Sequence, residues 1–487
     1  MSTGVFVEDG VETMEHLVQQ RIIERASVEP EALPTENSQL LGYSKRTFPK
    51  RMYLLLAVVV MFTISAISTV PAGMDITYSF ICYFLGIERG QCLRSDEAGA
   101  HVANFTAVGS VIRGGLSLIV TTYMSALSDR QGRRPLIITA MVLTGFAHLC
   151  SWYIVFHLNN PSTYWWLMVP TVIDGLGGGA QLVALMCVAY ISDMIPDPSQ
   201  RARLIAIVDG CFFGSIAIGP TLGSFVIRWV GIEVLYIGTF LGAVIAAGLS
   251  CLFLQESLST YHQRRNSTTK RSMRSRMDLL TFEAVEDPAC RRNARILLVC
   301  ALCGTEFVQT FLPVLLLYPK RIFGWTAVES GYLVSAMSTT RTFWFLVGFP
   351  LAYARLAKIW TVHKDRVDKI DLLLMRIGIL FTIVGYFSMG WSQTPLHYSI
   401  SGIVDASSSI GLPIYKSAMI KHVPQGQFGT FMAGFNFLCS FVGVFGPTIF
   451  LKLYSWAFTW RAYLPFEVIG TLFVVLFLTT YLLKPTN

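Results

Sequence analysis

The sequence predicts an all-α polytopic membrane protein, twelve transmembrane helices in two pseudo-symmetric bundles of six. Three observations carry this. Of 487 residues, 53% are hydrophobic and 14% charged, with mean hydropathy +0.53, where a soluble domain carries about 25% charge. Apolar stretches of the roughly 20 residues needed to cross a bilayer recur twelve times. Landmarks in the first half return in the second at a nearly constant offset.

In order, the spans are 52–72, 104–127, 136–157, 165–188, 204–225, 231–254, 296–317, 328–352, 371–391, 397–419, 428–451 and 463–483. Residues 1–51 form a polar cytosolic tail, so the span opening at Met52 is expected to insert as an uncleaved anchor. ITYSFICYFLG, after span one, reads either as an extension of that helix or as a re-entrant piece. Spans one to six make a bundle over 52–254, a cytosolic linker covers 255–295, and spans seven to twelve make a bundle over 296–484. The linker joins a basic YHQRRNSTTKRSMRSR to a more acidic TFEAVED, the composition of a connector rather than a third domain.

Lys and Arg in short loops orient such a chain. Lys45, Arg46, Lys50 and Arg51 precede span one, and Arg130, Arg133 and Arg134 follow span two. Basic residues also follow spans four, six and eight, whereas the alternate loops hold little beyond Arg89, Arg94, Arg228, Lys320 and Arg321. Both termini are therefore expected in the cytosol. The net charge of +8 belongs to cytosolic loops, which excludes nucleic acid as a partner. Eight of the ten cysteines fall in spans or near the cytosol, where bridges do not form. Cys82 and Cys92 share the external segment after span one, and the sequence leaves open whether they pair. Asn104-Phe-Thr106 is a formal glycosylation sequon that abuts span two.

Span four reads VIDGLGGG and span ten IVDASSSIG, each an acid followed by small residues. IPDPSQRARL is echoed by VPQGQFGTFM, and IGPTLG of span five by FGPTIF of span eleven. Asp174 and Asp405 lie 231 positions apart, Pro196 and Pro424 228, and Pro220 and Pro447 227. Such repeats suit an alternating-access carrier.

Ser125 to Leu136 reads SALSDRQGRRPL: Asp129 near a helix end, Arg130, Arg133 and Arg134 behind it, and Gly132 permitting a tight turn. The spacing closely resembles the signature loop of the major facilitator superfamily, glycine-x-x-x-Asp-Arg-x-Gly-Arg-Arg, with Ser125 in place of the first glycine. The resemblance covers about residues 50–484. It implies that Asp129, Arg130, Gly132, Arg133 and Arg134 latch the cytoplasmic side against the other half during transport. The loop after span eight has kept charge and lost the pattern. DG-x-GGG in span four, with the long first external segment, resembles the proton-coupled folate transporter group and, more distantly, the tetracycline-resistance exporters. Gly219, Pro220 and Gly223 resemble the antiporter signature of span five, although Ser215 and Ser224 stand where that signature has glycine. This match tilts the expectation toward export.

Asp174 lies near the middle of span four, where an ionised side chain costs about 2.5–3.5 kcal/mol on an isolated helix, so it must face the bundle interior. A low-dielectric setting favours the neutral acid, as a reversible proton carrier requires. The competing role is a structural acid held by hydroxyls or backbone. Gly177, Gly178 and Gly179 let a helix or solute approach closely, and Gly446 and Pro447 repeat the Gly219–Pro220 packing pair. Asp405 and Glu306 are the further proton-coupling candidates. Arg113 and Arg341 are deep cations that suit a carboxylate or an anionic solute, or a fixed salt bridge. Gln181, Gln309, Tyr332 and Trp344 complete the solute-binding candidates. Glu233, Arg376 and Glu467 lie close enough to span ends to snorkel toward headgroups.

No cluster of metal ligands and no phosphate-cradling loop appears in the sequence, so neither cofactor, nucleotide drive nor enzymatic chemistry is expected. The function read from these residues is a secondary carrier of a small organic solute, an organic anion or amphiphile, driven by a proton gradient and acting as a monomer in membrane lipid. An uncoupled facilitative carrier or a folate-like importer is the alternative, and a nutrient sensor on the same fold ranks last. Glu36, Leu40 and Leu41 have the spacing of an acidic dileucine motif, which binds sorting adaptors, so the address is the plasma membrane or a vacuolar or lysosomal membrane.

Overall fold

Helix follows apolar sequence throughout the computed structural model, which describes residues 50–92, 95–158, 161–194, 198–256, 282, 288–360, 368–415, 428–457 and 460–483. Glu36, Leu40, Leu41 and nearly all of the 255–295 linker lie outside them. Among the described residues there is no strand. Helix α1 runs over Met52–Phe84, α2 over Asp96–Gln131, α3 over Arg134–Tyr153, α4 over Tyr164–Ile191, α5 over Pro198–Trp229 and α6 over Ile232–Phe253. The second half repeats the series. Helix α7 covers Cys290–Phe323, and α8 runs from Ala327–Phe343 through a π turn at Trp344–Gly348 into Phe349–Leu356. Next come α9 at Lys369–Gly390, α10 at Pro395–Ala406 with a 3-10 turn at Ser407–Gly411, α11 at Phe428–Ala457 and α12 at Leu464–Leu482.

Ten of these helices are long and apolar enough to cross a membrane on composition alone. The other two are α8 and α10. Ser335, Ser338, Thr339, Thr340 and Arg341 dilute α8, and α10 passes into residues outside the description.

Two spans are longer than their apolar cores suggest. ITYSFICYFLG is the extension of the first helix, which pauses at Thr69 and restarts with Pro71 in its first turn, where a missing amide costs nothing. A disulfide between Cys82 and Cys92, Cα to Cα 5.7 Å, ties the end of this extension to the following turn. Similarly, α7 carries Lys320 into the protein, fully buried, rather than into a loop. Arg376 does not snorkel: its Nε and Nη2 donate to Thr480 Oγ1 and O at 3.1 and 3.0 Å, and its guanidinium lies over the Tyr481 ring.

In lipid, helix association relies on close packing at small residues, and the repeated glycines sit at such crossings. A Cβ on Gly219 would lie 3.3 Å from Ile64 O, and one on Gly223 would run into Ser68 O, so α5 crosses α1 on this pair. In the second half a Cβ on Gly446 would meet Thr310 at 2.8 Å, where α11 crosses α7. Pro220 and Pro447 stand inside their helices at both crossings.

The two halves meet along α5 with α8 and α2 with α11. One end of the bundle, the loop end, carries the Gly132 turn; the opposite end is the far end. At the far end the halves are joined by polar contacts. Thr221 N donates to Ser335 Oγ at 2.9 Å, Ser224 Oγ to Val328 O at 3.2 Å, and Lys452 Nζ to Asn104 Oδ1 at 2.9 Å. There Lys320 Nζ also meets Asp75 Oδ1 at 2.7 Å, while Asp75 Oδ2 accepts from Ala327 N at 3.3 Å.

Candidate functional site

The α4 helix is broken beside its acid. Gly178 and Gly179 have φ of +68° and +55°, a left-handed pair that costs roughly 1–2 kcal/mol at each position for a residue with a side chain. Helix therefore stops at Gly177 and restarts at Gly179, with Ser117 Oγ donating to the Gly178 carbonyl at 3.4 Å. A Cβ on Gly179 would sit 3.5 Å from Asp174 Oδ1 and 3.8 Å from Arg113 Nη2, and one on Gly177 2.9 Å from Leu143 Cβ. A Cβ on Gly175 would lie 3.1 Å from the Arg113 carbonyl, so α2 and α4 cross backbone to backbone beneath the charges.

Across that crossing Arg113 Nε meets Asp174 Oδ2 at 2.7 Å. Thr144 on α3 donates to the other oxygen, Oδ1, at 3.1 Å. The pair is open on one side, with Arg113 58% exposed and Asp174 15%. His148, one turn beyond Thr144, lies within electrostatic reach of both charges.

The second half contains the same pair. Arg341 on α8 meets Asp405 on α10 at 3.2 Å, with Arg341 17% exposed and Asp405 sealed at 0%. Asp405 Oδ1 is buried without a hydrogen-bond partner among the described residues, and a Cβ on Gly385 of α9 would press into its Cβ at 2.7 Å. Arg113 and Arg341 are 228 positions apart, the repeat offset again, so each half joins its second and fourth helices through an Arg–Asp bridge. One bridge is accessible and the other is closed.

The remaining predicted residues do not converge on either bridge. Glu306 is half-buried in a π turn of α7 at Cys303–Phe307, and Gln309 is exposed one turn on. Gln181 is exposed in the first turn after the α4 break. Tyr332 is 40% exposed near the far end of α8, and Trp344 folds its ring back over Gly348. Thr144, His148, Asp75 and Lys320 were not singled out by sequence reasoning. For the first two the signal was available: a hydroxyl and the only histidine within span three before its end, spaced i, i+4 on one helical face. Asp75 and Lys320 fell just beyond the apolar windows.

At the loop end, Glu256 fills the space over Gly132 and accepts from Arg133 N and Arg134 N at 2.8 and 3.1 Å. This places a carboxylate on the N-terminus of α3, where the helix dipole favours it. Arg133 Nε meets Asp193 Oδ2 at 3.0 Å, Arg133 also bonds Ser128, and Arg134 bonds the Cys251 carbonyl. The Asp129 and Arg130 side chains lie outside the described residues.

Comparison with known proteins agrees with this architecture. The sequence profile of the Major Facilitator Superfamily matches residues 52–447. The chain is 26% identical to the uncharacterized membrane protein YJL163C of Saccharomyces cerevisiae over 82% of this chain and 78% of that protein. It is 23% identical to the class C tetracycline resistance protein of Escherichia coli, over 76% and 84% of the two chains. The crystal structure of the human organic anion transporter MFSD10 superposes with a TM-score of 0.58 at 15% identity, covering 90% of this chain and 100% of that one. The chain is a multi-pass integral membrane protein that belongs to the Major Facilitator Superfamily, a transporter of small solutes and not an enzyme.

Proposed function

We propose that the chain is a secondary active carrier of a small organic anion or amphiphile, coupled to protons through the Arg113–Asp174 bridge. The observation that carries this reading is the contrast between two repeat-related bridges, one 58% exposed at its arginine and the other sealed at its aspartate. Free of its carboxylate, the Arg113 guanidinium presents five donors to a carboxylate or sulfate group. While Asp174 neutralises it, the guanidinium holds an anion more weakly. A proton that loosens the bridge therefore exposes an anion site, and a solute that leaves lets the bridge re-form. This is the differential affinity that any coupled carrier needs.

The far-end contacts, with Lys320 buried against Asp75, support a state in which the solute path opens toward the loop end. On the Lys/Arg distribution that end is cytosolic. A proton and an anion bound together make this coupling a symport, in which the solute follows the proton. Export by exchange is the alternative, supported by the partial antiporter signature at Gly219–Gly223 and by similarity to a tetracycline resistance protein. The chain acts as a monomer within lipid, in the plasma membrane or a vacuolar or lysosomal membrane, and Glu36, Leu40 and Leu41 offer a sorting adaptor its motif.

The test uses reconstituted vesicles and a solute found by comparing metabolite distribution with and without the protein. Asp174→Asn keeps size and removes the charge. Gradient-driven accumulation is expected to collapse while exchange without a pH gradient persists. Full accumulation by Asp174→Asn removes the bridge from the mechanism, and pH-independent transport by the wild type makes the chain a facilitative carrier.

A further inference from the structure

We propose that His148 is the proton-accepting member of this site: a charged His148 ring takes the place of Arg113 beside Asp174, freeing Arg113 to hold the anionic solute. The inference rests on the carrier reading above and names the group that switches the bridge.

Four features support it. His148 stands one helical turn from Thr144, whose hydroxyl already bonds Asp174 Oδ1 at 3.1 Å, so both side chains share the face of α3 that looks on the acid. Its Nε2 is buried with no hydrogen-bond partner among the described residues, although buried ring nitrogens are ordinarily satisfied. The charged groups that act on it are Asp174 from α4 and Arg113 from α2. The titratable group facing it from α6 is Tyr236, with ring centroids 6.4 Å apart.

The charge count then fixes the exchange. With His148 neutral, Arg113 and Asp174 sum to zero. A proton on His148 gives the site a charge of one, and two cations then compete for one carboxylate. The histidine packs beside Tyr236 of α6 with its Nε2 buried, whereas the Arg113 side chain is 58% exposed. Arg113 is therefore the cation that leaves, and a monoanion bound to it returns the site to neutrality. One proton accompanies one monoanion, with no net charge moved.

The first experiment needs no solute. Histidine-selective 15N magic-angle-spinning NMR is recorded on the full chain in lipid between pH 5.5 and 8, with His148 assigned by its loss in His148→Gln. The wild-type ring is expected to stay neutral while Arg113 occupies the acid. Arg113→Gln imitates departure of the guanidinium, and its His148 signal is expected to take the doubly protonated form within that range. Adding Asp174→Asn should return it to neutral. A ring that stays neutral in Arg113→Gln overturns the proposal, as does one that charges equally with and without Asp174. If Arg113→Gln does not fold, His148→Lys in the same chain supplies an ammonium at the histidine position. Recovery of monodisperse protein supports the exchange, and no recovery overturns it. This outcome is separate from gradient-driven accumulation by Asp174→Asn, which tests whether the bridge couples transport at all.

Discussion

Neutralising each of the two repeat-related acids separates a working bridge from a structural one. Asp405→Asn removes the one charge placed on Arg341 at bonding distance among the described residues, in a setting where the acid is 0% and the arginine 17% exposed. Stranding one member of a buried pair costs about 3–5 kcal/mol, and the amide oxygen of asparagine retains one acceptor, so the lower figure applies. Asp174→Asn leaves Arg113 58% exposed, able to solvate itself, and pairs of that kind contribute about 0–1 kcal/mol. The variants should therefore differ by about 2 kcal/mol or more, roughly thirtyfold in the folding equilibrium. Equilibrium unfolding of purified chains in mixed micelles, followed by tryptophan fluorescence and size exclusion, reads the difference. Asp405→Asn is expected to be the fragile protein, and Asp174→Asn the stable one that no longer accumulates solute. Equal loss of stability in both would refute the argument that exposure distinguishes the bridges.

Three further outcomes follow from particular contacts. Asp75→Asn removes the carboxylate 2.7 Å from the fully buried Lys320 ammonium and should cost about 3 kcal/mol, with recovery in the Asp75→Lys/Lys320→Asp reversal; a double-mutant cycle without coupling would remove the far-end pair as a gate. The disulfide closes a short loop with a sequence separation of 10, so Cys82→Ser should destabilise by about 3 kcal/mol, and non-reducing peptide mapping should recover Cys82 and Cys92 in one linked species. Gly178→Ala imposes a side chain at φ +68° with its Cβ 2.7 Å from Leu182 Cβ, a loss of at least about 1–2 kcal/mol, measured as reduced midpoint and yield; wild-type stability would show that α4 does not need its break.

What could be read in the sequence, and what could not, divides along physical lines. Twelve spans and a repeat were legible because lipid demands long uninterrupted apolar helices, and because GPT, the acids and the prolines return at one offset. The ends of α1 and α7 were not legible, since polar residues such as Asp75 and Lys320 end an apolar window even where a partner 2.7 Å away neutralises them. The bridges were half legible. Both arginines and both acids stood out as deep charges, yet pairing them required the second use of the offset, between Arg113 and Arg341. Even that step cannot tell which bridge is open. Exposure is set by what surrounds the pair: the Gly178–Gly179 break leaves space above Asp174, whereas Gly385 brings the α9 backbone against Asp405, and a continuous 3-10 turn follows it. A repeat conserves the charges and their helices, and the local backbone then decides whether an Arg–Asp pair is a bolt or a switch. The same reasoning explains His148. Span nine, the counterpart of α3, offers Phe, Tyr and Thr but no histidine within Leu372–Gly390, so of these two counterpart helices the one beside the open bridge carries the imidazole.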